Sequence, residues 1–229
     1  MKSEELLIKP IAHIETDFKE KFGIPRQSGR VEALKGRIVF ETKYRNPDAL
    51  RGLKEFSHIW LIFDFSKSHR EEWSPTVRPP RLGGNKKIGV FASRSPFRPN
   101  PLGLSVVALD SIENTQKDGY VLNVSGIDLL DNTPIYDIKP YIPYADAKIN
   151  AKGSYSDSFK NYSLEVDFPE ELLSLIPKEK QKALLDCLAD DPRPSYQEDT
   201  RVYKMSFAGF DISFKVFNGV LTVTEVVKI

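Results

Sequence analysis

A chain of 229 residues, 40% hydrophobic and 28% charged, has apolar material for one large domain or for a domain with a small companion, and its composition is neither disordered nor fibrous. The single Cys187 excludes an intramolecular disulfide framework and a cysteine-rich zinc site, and His13, His58 and His69 have no metal-ligand spacing, so no structural metal is expected. The net charge of +1 hides an uneven distribution: Trp73 to Leu109 holds no Asp or Glu, where the chain average predicts roughly five, but carries Arg78, Arg81, Lys86, Lys87, Arg94 and Arg98.

The start, MKSEELLIKP, carries acids and lacks a signal-peptide core, and no apolar run approaches the roughly 20 residues that cross a bilayer; a cytoplasmic protein without membrane contact is expected. Strand signals then recur between turn residues, at 6–14, 36–42, 56–65, 87–93, 104–113 and 119–129. In FSHIWLIFDF at 56–65, Ile59, Leu61, Phe63 and Phe65 share an apolar face, while Phe56, His58, Trp60, Ile62 and Asp64 share a mixed one. A strand of this kind suits a barrel or a sheet with a site on it. NPDALRGLKEF at 46–56 places a proline at a first helical position and predicts one short helix. No βαβ alternation and no GxGxxG occur.

Past Pro143 the texture turns rich in Ser and Tyr, which places a domain boundary near 150 and divides the chain into 1–150 and 151–229. Leucines at helical spacing after Pro169 predict two short helices separated by Pro177 and stopped by DDPRP. The end alternates Phe210, Ile212, Phe214 and Val216, turns at Asn218-Gly219 and alternates again, which predicts a hairpin. The expected fold is a mostly β N-terminal unit with a smaller C-terminal α+β lobe.

Four segments carry the possible chemistry, and each has a plain alternative. KFGIPRQSGR at 21–30 presents Arg26 and Gln27 from a loop fixed by Pro25, or is a generic turn. VRPPRLGGNKKIGVFASRSPFRPNPLGLS at 77–105 is the second, in which Pro96, Pro99 and Pro101 fix φ and remove donors, so that 94–105 is a stiff loop holding Arg94, Ser95, Arg98 and Asn100 in set directions; the alternative is a solvated basic loop. Asp128, Asp131 and Asp137 lie around a turn, where Asp131 and Asn132 can be simple turn formers. DDPRPSYQ at 190–197 frames Arg193 and Tyr196, or only stops a helix. His58 reads as a core or edge histidine and Cys187 as packing. With no Ser-His-Asp arrangement, Walker loop or HExxH, any cofactor has to be gripped by rigid loops over a β scaffold.

GIPRQ, FSHIWLIF, VRPPRLGGN, GVFASRSPFRPNPLGLS, DNTPIYDIKPYIPYAD and DPRPSY, in this order, resemble the tRNA N6-threonylcarbamoyladenosine methyltransferases, the TsaA-like or TrmO β-barrel family, over nearly the whole chain. The resemblance implies an N-terminal β-barrel that carries the cofactor site, a smaller C-terminal lobe, and methyl transfer from S-adenosylmethionine to N6 of threonylcarbamoyladenosine beside the anticodon of tRNA, by a homodimer whose partner helps complete the site. It implies cofactor contacts at Pro25, Arg26, Gln27, Ser66, Lys67, Arg94, Leu104 and the turn Asp128, Leu129, Leu130, Asp131. Many members have His where this chain has Ser66, and Gly where it has Asn132.

Methyl transfer from a sulfonium is an in-line displacement, which asks for alignment and for a group to take the acceptor's proton. Asp128 and Asp131 are the candidate carboxylates, though either can instead pair with the sulfonium or the amino group of the cofactor. Arg94 or Arg98 is the expected clamp for the substrate's carboxylate and phosphates. Asn100 shares their stiff loop. Lys86, Lys87, Arg193 and Tyr196 are candidates for contact with tRNA. Two other readings stand beside this one: a non-catalytic tRNA-binding barrel, and a small-molecule methyltransferase on the same barrel.

Overall fold

The structure is a computed structural model that describes residues 6–82, 86–193 and 201–229. It is mostly β, as the strand spacing leads one to expect, with the closed barrel and the smaller C-terminal unit that the resemblance implies. The barrel strands are β1 (Ala12–Thr16), β2 (Lys35–Phe40), β3 (His58–Asp64), β6 (Leu102–Thr115), β7 (Gly119–Ser125) and β8 (Thr133–Pro140). All pair antiparallel, in the order β1-β2-β7-β6-β3-β8, and β8 returns to β1 with Ala12 opposite Ile135. Between β3 and β6 a two-stranded ribbon stands apart, made of β4 (Thr76–Val77) and β5 (Ile88–Gly89).

Period-two alternation fills the barrel. Ile14, Ile38, Ile59, Leu61, Phe63, Val107, Leu122, Val124 and Ile135 point inward and are buried, while Trp60 and Ile62 stand on the outer face of β3. Gly103 on β6 is small because Phe63 fills the space beside it; a Cβ there would lie 2.1 Å from the Phe63 ring.

The C-terminal unit is a sheet of β10 (Tyr203–Phe207), β11 (Phe210–Phe217) and β12 (Val220–Lys228), with β9 (Glu165–Asp167) added parallel to β12. Helices α1 (Pro143–Asp146), α2 (Glu170–Leu173) and α3 (Lys178–Ala189) complete the elements; α3 lays Ala183, Leu184, Cys187 and Leu188 into the core. Pro177 stands at the N-cap of α3, so the division between the two later helices falls where the sequence places it. The hairpin between β11 and β12 turns at Asn218 and Gly219, with φ of 48° and 79°, the two positive φ values of a type I′ turn.

The structure also departs from the sequence reading. The expected strand at 87–93 is only Ile88–Gly89, followed by a 3-10 turn at Val90–Ala92, because the ribbon has no wider sheet to extend it. The expected helix at 46–56 is two 3-10 turns, Pro47–Leu50 and Leu53–Glu55, divided where Gly52 takes φ 85°. The first strand begins at Ala12 rather than 6, and the one expected over 119–129 stops at Ser125, where Gly126 turns at φ 73°. β8 and β10 were not anticipated: β8 carries Pro134 and Pro140 near its ends, which masks its alternation.

The loop after β1 joins the two units. Phe18 packs edge-on to Phe207 at 5.3 Å, and Phe22 stacks near Tyr203 and Phe214. Lys180 on α3 reaches Asp17 at 2.5 Å, and Ala208 N–H donates to the Asp17 carbonyl. Gly23, at φ 98°, lies so close to Met205 that a Cβ would meet its sulfur at 2.1 Å. The C-terminal unit therefore fixes the segment that presents Arg26 and Gln27.

Candidate active site at one end of the barrel

Antiparallel order sends three connections out of the same end of the barrel: 17–34 between β1 and β2, 65–101 between β3 and β6, and 126–132 between β7 and β8. All the residues singled out for a cofactor lie on these connections or, for Leu104, on the first residues of β6. Loop 17–34 is zipped to the turn after β7: Gly29 N–H donates to the Gly126 carbonyl at 2.8 Å, and Gly126 N–H to the Leu34 carbonyl at 2.9 Å. A Cβ on Gly126 would stand 3.5 Å from the Gly29 backbone, an ordinary contact, so it is the positive φ of 73° that calls for glycine there. Lys21 ties the same loop to the turn after β3, through the Lys67 carbonyl at 2.5 Å and the Ser68 hydroxyl at 3.0 Å.

Asp128 is the centre of this arrangement. The Ser105 hydroxyl, pointing inward from β6, donates to its Oδ1 at 2.7 Å, and the backbone N–H of Ser28 donates to it as well. Burial pushes the carboxyl up to about 6, against the opposing pull of those hydrogen bonds and of the Arg94 charge. Arg94 bonds Gln27 Oε1, and Gln27 turns its amide nitrogen to the Arg26 carbonyl, so the proline-rich loop and loop 17–34 meet through neutral amides.

The proline-rich loop pins itself. Ser95 N–H donates to Ser93 Oγ, Phe97 N–H to Ser95 Oγ, and Arg98 Nη1 to the carbonyls of Ser93 and Ser95 at 3.1 and 3.4 Å. Arg70 lies 3.6 Å over the Phe97 ring. The expectation of a stiff segment is met, and the two arginines divide their work: Arg98 holds the loop's own carbonyls, while Arg94 is exposed.

Other residues named from sequence are placed differently. Asp131 accepts from Thr16 N–H at 2.8 Å, Lys19 Nζ at 2.6 Å and Asn132 Nδ2 at 2.6 Å, which makes it the clasp between β1 and the turn. Asn132 takes φ 59°, a conformation asparagine tolerates. The Leu104 side chain stands on the outer face of β6, 55% exposed, while its neighbour Ser105 faces Asp128. Arg193 is not an open phosphate contact: its guanidinium grips Asp191 at 2.9 and 3.0 Å and is nearly buried, and its carbonyl receives Arg26 Nη2. Leu129 is buried, Pro25 is buried, and Ser66, Lys67, Lys86, Lys87 and Asn100 are exposed. Tyr196 lies outside the described residues. Among the described residues no three His, Cys, Asp or Glu side chains cluster as a metal site.

Sequence reasoning missed Ser28, Ser105 and the pair Asp64–His69, whose imidazole Nε2 sits 2.6 Å from the buried Asp64 carboxylate beside the same connections. Ser105 alone had a usable signal, a hydroxyl in the inward register of a strand, where a polar group needs a partner.

The family model described as the tRNA-methyltransferase O N-terminal domain matches residues 13–147, and that of the TrmO C-terminal domain matches 161–229. A tRNA (adenine(37)-N6)-methyltransferase of Escherichia coli K12 is 41% identical over 215 residues, which cover 90% of this chain and 91% of that protein. A Pseudomonas aeruginosa protein provisionally named an S-adenosylmethionine-dependent methyltransferase is 40% identical over 198 residues, 83% of each chain. Among solved structures, a TrmO crystal structure from the same species superposes with a TM-score of 0.81 at 33% identity, covering 99% of both chains.

Proposed function

The chain belongs to the tRNA-methyltransferase O family, and from that premise we propose that it transfers the methyl group of S-adenosylmethionine to N6 of adenine 37 in tRNA, acting on adenosine that already bears N6-threonylcarbamoyl. One observation carries the chemistry. Asp128 is a largely buried carboxyl held near 6 beside an arginine whose hydrogen bond, among the described residues, goes to a neutral amide.

These residues fit the methyl donor. A carboxylate suits the donor's amino nitrogen or its cationic sulfur, and the exposed Arg94 guanidinium suits a carboxylate. When bound, S-adenosylmethionine supplies a methyl group activated by the positive charge on sulfur. The chain's own part is alignment and proton management. Stiff loops pinned to one another hold both reactants without reorganisation. Asp128, ionised above about pH 6, takes the N6 proton as the new N–C bond forms and the C–S bond breaks. Arg94 holds an anionic group of donor or acceptor, which ties the carboxylate of a threonylcarbamoyl group to a specificity for the modified base.

The outer face of β6 exposes Leu102 at 40% and Leu104 at 55% beside this end of the barrel. That apolar strip supports a homodimer in which the partner covers it, and it gives Leu104 a role toward a site shared between subunits. The site is proposed to work in the cytoplasm; among the described residues no helix is long and apolar enough to cross a membrane.

The test is incubation with labelled S-adenosylmethionine and tRNA with and without the threonylcarbamoyl group. Label in the modified tRNA only is the expected result. Salt-sensitive tRNA binding with no affinity for the donor would leave a non-catalytic barrel, and donor turnover independent of tRNA would leave a small-molecule enzyme.

A further inference from the structure

The ribbon of β4 and β5 carries a feature that the methyl-transfer chemistry does not use. At its barrel-side end Val90 N–H donates to the Pro75 carbonyl at 2.9 Å, and Trp73 and Phe91 stack with ring centres 6.2 Å apart and planes at 28°. Trp73 is 51% exposed and Phe91 74%. Two aromatic rings left in water beside each other are unusual on a surface that has a barrel core nearby to bury them.

The geometry holds them there. Phe91 sits in the 3-10 turn Val90–Ala92, closed by Ser93 N–H to the Val90 carbonyl, and the same turn buries Val90 at 1% exposure. With Val90 anchored inward, its neighbour is directed outward. On the facing strand Ser74 Oγ bonds the Thr76 carbonyl at 2.9 Å, which fixes the approach of Trp73.

The surroundings are cationic. Arg78, Lys86 and Lys87 are exposed at the far end of the ribbon, Arg70 covers Phe97, and no acid occurs from Trp73 to Leu109, although the exposed Glu71 and Glu72 precede the tryptophan. Phe91 lies three residues before Arg94, and so within about 11 Å of it even were the chain fully extended.

We propose that Trp73 and Phe91 form a stacking platform for an unpaired nucleobase of the substrate RNA, one that flanks the base held at Asp128. Single-stranded RNA is the partner that combines flat apolar faces with a negative backbone, and it is read by aromatic stacking beside basic side chains. This inference rests on the RNA-directed reading of the site given above.

Binding of a synthetic anticodon stem-loop bearing N6-threonylcarbamoyladenosine at 37 tests it, followed by Trp73 emission in a Trp60→Phe background. Quenching on titration is expected, because a base stacks on the indole. Trp73→Ala should weaken RNA binding by about 5- to 150-fold, the range for loss of one stacked base, and Trp73→Phe should restore most of it, while the affinity for S-adenosylmethionine stays the same in both. Wild-type RNA affinity in Trp73→Ala would overturn the platform even with methylation intact. So would emission that changes with protein concentration and not with RNA, since a second copy of the chain would then cover the pair. Quenching by RNA without any methyl transfer would uphold the platform and overturn the proposed reaction instead.

Discussion

In the segment from Asp190 to Arg193, the Arg193 guanidinium takes both oxygens of Asp191, the Tyr162 hydroxyl adds a bond at 2.9 Å, and Arg30 reaches Asp190 at 2.8 Å. At the barrel end the ingredients are similar, an arginine and an aspartate on rigid loops, but Arg94 bonds the neutral Gln27 amide and reaches Asp128 only through space. Matched charge makes the first region a strap. A buried carboxyl that is solvated by a hydroxyl and N–H groups, and not neutralised by a guanidinium, makes the second a place where a proton can be taken up. Arg193 has the neighbouring acids of DDPRP and is held in an ion pair by one of them, whereas Arg94, at the head of the acid-free RSPFRPNP, is not spent on the fold in this way.

The largest effect is expected at the unmatched end. Arg94→Ala should abolish methylation of tRNA while leaving thermal unfolding within about 0.5 kcal/mol of wild type, as for an exposed side chain outside the core. Near-normal turnover would remove Arg94 from the site.

Asp128→Asn keeps a hydrogen-bond acceptor for Ser105 and removes the base, so turnover should fall by about 10² to 10⁴, the usual worth of a positioned proton acceptor. The pH dependence carries a second check. The folded-state carboxyl titrates near 6, above its ordinary 3.8, so the native state binds this proton more tightly than the unfolded chain. Its contribution to stability is present below about pH 4 and is lost as pH rises to about 6, a change of about 1–3 kcal/mol. Turnover moves the other way, rising through pH 6 as the carboxylate forms. Both slopes should be missing from the asparagine variant; if the activity limb persists, another group takes the proton.

Arg193→Ala tests the strap. Removing one member leaves Asp191 buried without its cation, with an expected loss of about 3–5 kcal/mol in urea unfolding. Turnover below the melting range should stay close to normal, because Arg26 bonds the Arg193 carbonyl and not its side chain. Normal stability together with weak tRNA binding would make this region part of the substrate surface and erase the contrast.

How much of this the sequence disclosed follows from how local each signal is. Alternation in FSHIWLIF, the Asn218-Gly219 turn and the break at Pro177 are carried by neighbours in the chain, and all three appear where the pattern puts them. β8 was not legible, because Pro134 and Pro140 argue locally against a strand, and its pairing with both β1 and β3 is a fact of topology. The same distinction holds at the site. The stiffness of 94–101 is local, since prolines and serine hydroxyls make it. The separation of Asp128 from Asp131 is not: it depends on Ser105 and on Lys19, Thr16 and the end of β1, contacts 23, 112 and 115 residues away in sequence.

The smallest effect is expected at the residue that follows Asp131. Asn132 holds φ 59° and gives one of the three bonds to Asp131. In Asn132→Gly the left-handed backbone loses its steric cost, roughly 1 kcal/mol, but the unfolded chain gains freedom of similar size and the amide bond disappears. These changes offset one another, so stability should move by less than about 1 kcal/mol. Asp131 keeps Lys19 and the Thr16 N–H, and the turn keeps the Asn132 N–H bond to the Ile14 carbonyl at 2.8 Å. Asp128 is then left in place and turnover should change less than about twofold, far from the loss expected on removing a proton acceptor. A tenfold fall in this variant, with melting unchanged, would show that Asp131 responds as the reacting group does. The clasp would then belong to the chemistry, and matched charge would no longer separate structure from catalysis in this molecule.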